Sequence, residues 1–125
     1  MAHITSARRI LSALLFLLLA LGALAGCDSS HTDKVSDIVN NPSAYAHKDV
    51  TVAGEVTRVY ELPLGISDLA AYRVSDGTGQ VWVLSHAGAP LVGDRVGLKG
   101  RVRPEGLVGD INLGSVIEEH ERRIR

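Results

Sequence analysis

Apolar and polar residues alternate with a period of two on both sides of Asp76-Gly77-Thr78-Gly79. Before it, Tyr72 and Val74 alternate with Arg73 and Ser75; after it, Val81 and Val83 alternate with Trp82 and Leu84. Period two marks half-buried strands, so residues 71–84 predict a β-hairpin. With Gly77 and Thr78 at the centre of a two-residue turn, Gly77 supplies the positive φ that a type II′ turn needs at its first central position. The register then sets Ser75 opposite Gln80, Val74 opposite Val81, Arg73 opposite Trp82 and Tyr72 opposite Val83. One face carries three valines and Tyr72, and the other puts an arginine beside the only tryptophan in the chain.

The flanking segments extend this pattern. From Asp49, residues Val50, Val52 and Val56 share one face with Gly54 between them, whereas Val59 has the opposite parity. A bulge or sharp coil between Gly54 and Val59 reconciles the two. Pro63 and Gly65 mark a loop over residues 61–68, and Gly88, Pro90 and Gly93 mark another over 85–94, where a longer helix could have stood. From Arg95 to Arg103 the alternation is clear, with Val96, Leu98, Gly100 and Val102 inward and Arg95, Lys99, Arg101 and Arg103 outward. Pro104-Glu105-Gly106 turns the chain into a last strand, Asp110 to about Glu118, with Ile111, Leu113 and Ile117 inward. Ahead of the first strand, Ser36 is a candidate cap for one or two helical turns that Pro42 ends, and Tyr45 is expected to pack on the body of the fold. Five strands in this order, the first long and coiled, predict an all-β Greek-key barrel with a short N-terminal helical segment. Thirteen glycines and 4% aromatic residues agree with many turns and close strands rather than long helices, and 125 residues leave room for one small domain.

Residues 1–9 carry Arg8 and Arg9 and no acid, and Ile10 to Ala25 is an apolar run interrupted by Ser12 and Gly22. That is the shape of a secretory signal, and the run is shorter than the ~20 residues that span a bilayer as a helix. Leu24-Ala25-Gly26-Cys27 resembles the lipobox of bacterial lipoproteins. The resemblance implies cleavage before Cys27, acylation of that cysteine and a mature protein held on a membrane facing the periplasm or cell exterior. Asp28 resembles an inner-membrane retention signal, and the choice of membrane stays open. The expected organisation is a signal peptide over 1–26, a polar tether over 27–33, the barrel domain over 34–120 and a charged tail over 121–125. Loss of Arg8 and Arg9 leaves eleven of thirteen basic residues against fourteen acids, a formal charge of −3 on the mature chain. With Cys27 the only cysteine, no disulfide can form within the chain.

Three blocks, Asp49 to Val56, Tyr72 to Val83 and Gly93 to Val102, resemble the recurring strands of bacterial OB-fold domains, including the anticodon-binding type. Members that bind nucleic acid or oligosaccharide use the outer face of the second and third strands. Here that face is Arg73, Ser75, Trp82 and Leu84, with the cationic row Arg95, Lys99, Arg101 and Arg103 as a possible phosphate track. Two functions follow. One is a non-catalytic envelope lipoprotein binding a small molecule, glycan or protein partner; the other is single-stranded nucleic-acid binding, which the exported address disfavours. The plainer alternatives are that Arg73 and Trp82 are structural packing and that the cationic row pairs with the abundant acids. No catalytic residue, metal site or cofactor is expected. His31, His47, His86 and His120 lack ligand partners at metal spacing, Asp76 serves its own turn, Ser85 and His86 point to opposite faces, and Glu118, Glu119 and Glu121 form a solvated strand end. Periplasmic haem chaperones share the fold and carry a C-terminal His-x-x-x-Tyr, but His120 is followed four residues later by Ile124.

Overall fold

The computed structural model describes residues 31–61, 68–108 and 110–125. The expected signal peptide, Cys27 and most of the tether lie outside the described residues. Two helical turns, α1 (Val35–Asn40) and α2 (Pro42–Tyr45), precede β1 (Asp49–Glu61), β2 (Ala70–Ser75), β3 (Gln80–Ser85) and β4 (Arg95–Arg103). A two-stranded hairpin, β5 (Leu107–Val108) with β6 (Ile111–Asn112), leads to β7 (Val116–Ile124). The sheet closes in the order β1-β2-β3-β7-β4. Every neighbouring pair is antiparallel except β3 with β7. This is the all-β, five-stranded barrel that the alternation predicts, and the OB-fold that the three blocks resemble.

Closure depends on β1. Its first half, Asp49 to Glu55, pairs with β4, and its second half, Glu55 to Glu61, pairs with β2. Such a strand must bend through a large angle, and the register slips between Val56 and Arg58, which leaves Thr57 as the bulged residue. The bulge lies within the interval that the parity change from Val56 to Val59 marks. Two inward glycines let neighbouring backbones come close: a Cβ on Gly54 would collide with the Ser75 carbonyl, and one on Gly100 with the Glu118 carbonyl. The hairpin register is as expected at all four pairs, and Gly77 has φ 86°.

The core comprises Val50, Val52, Val56, Tyr72, Val74, Val81, Val83, Val96, Leu98, Val102 and Ile117, with Val35 and Ile38 of α1 buried against it and Tyr45 packed at its edge. Two expected members are absent from it. Ile111 is 64% exposed and Leu113 only half-buried, because Ile111–Asn112 pairs with Leu107–Val108 as β6 with β5 before the last strand begins. That strand therefore starts at Val116 rather than Asp110, and it continues to Ile124 instead of ending near Glu118. The segment expected as a charged tail, 121–125, is β strand as far as Ile124, paired with β4. Alternating charge on an outward strand face looks like a tail when no partner is in view.

The cap on α1 also differs from expectation. The N-cap position is Lys34, which makes no side-chain cap bond. The hairpin turn supplies the acceptors instead: Val35 N donates to Asp76 Oδ2 at 3.0 Å, and Ser36 N donates to Thr78 Oγ1 at 3.1 Å. Asp76 also accepts from Thr78 N, Thr78 Oγ1 and Gly79 N in its own turn. One carboxylate thus holds the hairpin turn and fastens the helix over it. Burial pushes the Asp76 pKa up, but the bonds from the Thr78 side chain and from three backbone N–H groups outweigh this and hold it below the ordinary carboxylate value.

Replacing Asp76 by Ala should cost about 1–2 kcal/mol in urea unfolding at neutral pH, the usual range for a lost cap. A depressed pKa makes this contribution complete above the unfolded-chain value, about 3.9, and removes it as pH falls through the folded value. The gap between parent and Asp76→Ala should accordingly narrow below about pH 4. A gap that is constant down to acid unfolding would contradict the capping role.

Candidate ligand-binding face

The bulge at Thr57 decides which side chains of β1 face outward. After it, Arg58 registers opposite Arg73 and Tyr60 opposite Ala71, while Val59 lies opposite the core residue Tyr72. Arg58 and Tyr60 therefore join Arg73 and Trp82 on the outer surface of β1, β2 and β3. Tyr60 and Trp82 stack with ring centroids 5.6 Å apart and planes 26° apart. They reach each other diagonally across β2, where Ala71 is too small to separate them. The Arg58 guanidinium lies 5.9 Å from the Tyr60 ring, and that of Arg73 lies 5.8 Å from the Trp82 ring. The result is a four-membered row in the order arginine, tyrosine, tryptophan, arginine.

The row is held from below and exposed above. Arg73 Nε donates to Thr57 Oγ1 at 3.1 Å, so the bulged residue also fixes the guanidinium. Each cation–aromatic contact contributes about 0.5–1 kcal/mol at such an exposed site, and an aromatic pair about 0.5–1.5 kcal/mol beyond its buried area. These suffice to order the row without burying it, and Tyr60 remains 50% exposed. Ser75 and Leu84 share the face and are half-buried. The register that places Arg73 beside Trp82 was legible in the sequence, whereas Arg58 and Tyr60 were missed. Extending the parity change of β1 through a bulge at Thr57 would have placed both outward.

The cationic row of β4 lies elsewhere. Arg95, Lys99, Arg101 and Arg103 are exposed, but β1 separates β4 from β2 on one side and β7 separates it from β3 on the other. Arg101 pairs with Asp49 at 3.3 Å, and Arg103 with Glu118 at 2.5 Å. Half of the proposed phosphate track is thus engaged with acids and does not continue the Arg73–Trp82 surface.

A second cluster sits at the barrel end formed by Ala70 and Ser85. Glu119, expected in solvent, has its side chain 5% exposed. It accepts hydrogen bonds from Tyr72 Oη at 2.5 Å, Ser85 Oγ at 2.6 Å and Arg122 Nη1 at 3.1 Å. Arg122 also donates to the Gly88 carbonyl and lies over the Tyr72 ring. The carboxylate reaches the interior because β7 slips register against β4: Gly100 pairs with Glu119 and Lys99 with Glu121, leaving His120 as the extra residue. Burial first, then the Glu119 hydrogen bond and charge, raise the Tyr72 pKa far above the ordinary phenol value. Ser85 is fully buried, so this network closes the barrel beneath the 86–94 loop and offers a ligand no access. Among the described residues no group of His, Cys, Asp and Glu is arranged to hold a metal ion.

No protein-family profile and no curated protein matches the chain. Solved structures do match. Asparaginyl-tRNA synthetase from Pyrococcus horikoshii complexed with asparaginyl-adenylate aligns at 14% identity and TM-score 0.58, over 75% of this chain and 22% of that one. A putative aspartyl-tRNA synthetase from Leishmania major Friedlin aligns at 10% identity and TM-score 0.53, over 78% of this chain and again 22% of that one. The OBody AM3L09 bound to hen egg-white lysozyme aligns at 21% identity and TM-score 0.57, over 78% of this chain and 96% of that one. At these identities the likeness shows the fold, and the chain spans about a fifth of the synthetases' length.

Glu119→Ala should leave the Arg122 charge buried and unpaired, lowering stability by about 3–5 kcal/mol. Tyr72→Phe removes one bond to a charged acceptor and should cost about 1.5–3 kcal/mol. Urea denaturation measures both, and two values under 1 kcal/mol would mean that the network is solvated rather than structural.

Proposed function

We propose that the chain is a non-catalytic binding module that takes single-stranded nucleic acid on the face built by Arg58, Tyr60, Arg73 and Trp82. The stacked Tyr60–Trp82 pair flanked by two guanidiniums carries this reading. Every base has a π-face and can extend such a stack, and the arginines at its ends suit the phosphates between bases. The likeness to the anticodon-binding type of OB domain and the match to tRNA synthetases support it. Only Arg58 and Arg73 adjoin the stack, so the phosphate contribution is small. At about −0.7 per phosphate on a single strand, two contacts give a slope of log K against log salt near −1.4.

Cys27 supports a membrane address. In this proposal its acyl chains hold the domain on an envelope membrane through the short tether, and the strand is one that crosses or lies outside that membrane. The same address favours a second reading, in which the aromatic pair takes a neutral glycan or small molecule. Salt separates the two, because a neutral ligand releases no counterions.

Trp82 is the sole tryptophan, so its fluorescence reports directly on the face. Titration with an oligothymidylate should quench it, with the shallow salt slope above. Trp82→Ala or Tyr60→Ala should each cost ~1–3 kcal/mol of affinity, whereas Lys99→Ala should change little. Quenching by a glycan that ignores salt would select the second reading, and no response to either would reject the face as a binding site. For the address, Cys27→Ser in a bacterial host that processes lipoproteins should abolish palmitate labelling and leave an uncut precursor. Labelling equal to the parent's would overturn the lipoprotein assignment.

A further inference from the structure

On the other side of Thr57 the outer surface sinks into a cleft of about 490 Å³ between β1, the start of β4 and the β2–β3 turn. Its wall includes Glu55, Thr57, Ser75, Asp76, Arg95 and Arg125. Asp76 is already occupied by the four donors described above, so its lone pairs are committed to the turn and to α1. Neither the Arg95 nor the Arg125 side chain has a hydrogen-bonding or ion-pair partner among the described residues. Arg125 N donates to the Arg95 carbonyl at 2.7 Å, which brings the two residues side by side. The Arg125 guanidinium lies across Gly97, in contact distance of the place a Cβ would occupy. Glycine there interrupts the charged outward row of β4 and gives the guanidinium a backbone surface to rest on. Ser75 Oγ accepts from Gly77 N at 3.5 Å, which leaves its own proton to donate.

We propose that this cleft is an anion-binding site in which Arg95, Arg125 and the Ser75 hydroxyl receive a phosphate or carboxylate group. Two adjacent guanidiniums, with the Ser75 hydroxyl on the far side of Glu55 in the same cleft, give directional donors of the kind that bind such groups through paired N–H bonds. Beside the Asp76 carboxylate, which keeps its charge in the same wall, the competing anion is Glu55, registered between Ser75 and Arg95 across β1. It is exposed and forms no ion pair with Arg95, so a ligand displaces it from the neighbourhood of Arg95 without breaking a bond. The site shares no arginine with the stacking face. The two meet at Thr57, which lines the cleft and accepts from Arg73. A strand stacked on Trp82 could therefore place a terminal phosphate here.

Calorimetric titration of the full chain in uncharged detergent micelles with inorganic phosphate tests the site. Arg95→Gln and Arg125→Gln should each weaken phosphate binding by about tenfold, as expected for loss of one charge-assisted donor pair. Glu55→Gln should tighten it, and Trp82→Ala should leave it unchanged. All these side chains lie on the surface, and circular dichroism verifies that the variants fold. Phosphate binding that is absent, or unaffected by both arginine substitutions, would overturn the proposal. Acetate in place of phosphate tests the carboxylate source. An oligothymidylate with and without a 5′-phosphate tests the strand source, since a preference for the phosphorylated end that Arg95→Gln erases assigns the anion to nucleic acid. Oligonucleotide affinity that ignores Trp82→Ala while phosphate binding persists would sink the stacking reading alone.

Discussion

A five-stranded sheet closes into a barrel only when its two end strands pair as well, and in this protein β1 makes that join by pairing with β4 along its first half and with β2 along its second. Glu55 pairs with Arg95 on one side and Ser75 on the other, so the handover from one ladder to the next happens within a single residue. The bend required there is provided by Gly54, which admits the β2 backbone, and by the bulge at Thr57, which shifts register by one. Side chains in a strand alternate faces, so a one-residue slip inverts everything beyond it. The slip returns Val59 to the core and turns Arg58 and Tyr60 outward. Without the bulge, Arg73 and Trp82 would be an isolated cross-strand pair. With it, they become half of a four-membered cation–aromatic row. The requirement for barrel closure and the composition of the candidate binding face thus have one structural cause.

The two barrel ends are closed by different chemistry. At the hairpin-turn end, α1 buries Val35 and Ile38 and borrows its cap from Asp76 and Thr78. A six-residue helix is unstable alone, so its order depends on that carboxylate and on the core beneath it. At the opposite end, apolar residues give way to Tyr72, Ser85, Glu119 and Arg122, and the buried charge is tolerated because no buried side-chain N or O atom among the described residues lacks a hydrogen-bond partner. The loop from His86 to Asp94 is also fastened to the barrel, through Gly88 to Arg122 and through Gly93 and Asp94 to the Val56 backbone. Where a helix could have covered this end, a buried salt bridge and a pinned loop serve instead.

The hairpin was legible because its alternation, its turn residues and its register agree with one another. Its four cross-strand pairs and the position of Trp82 could be written down from the sequence. The bulge could be located only to an interval, since a parity change says that a residue is extra without saying which one. With Val59 inward, Tyr60 faces outward whichever residue is extra, and only the place of Arg58 depends on the slip falling at Thr57. The end of the chain was misjudged for a different reason: Glu119 and Arg122 have the composition of a solvated tail, and only the β4 partner and the slip at His120 show that they point inward. Ile111 has the composition of a core residue, yet it belongs to the β5–β6 hairpin, whose two-residue strands are too short to leave a periodic signal. The cationic row of β4 was correctly placed outward, but its distance from Trp82 around the barrel follows from strand order, which alternation along one strand does not contain.

The bulge at Thr57 gathers Arg58, Tyr60, Arg73 and Trp82 of β1, β2 and β3 into one candidate binding surface. Its most direct test is a map of amide and side-chain chemical-shift changes in the isotopically labelled full chain on addition of an oligothymidylate. The account predicts a contiguous set comprising Arg58, Tyr60, Arg73 and the Trp82 indole, extending past Thr57 toward Arg95 when the strand carries a terminal phosphate. Changes centred on Lys99, Arg101 and Arg103, with Tyr60 and Trp82 unmoved, would contradict it.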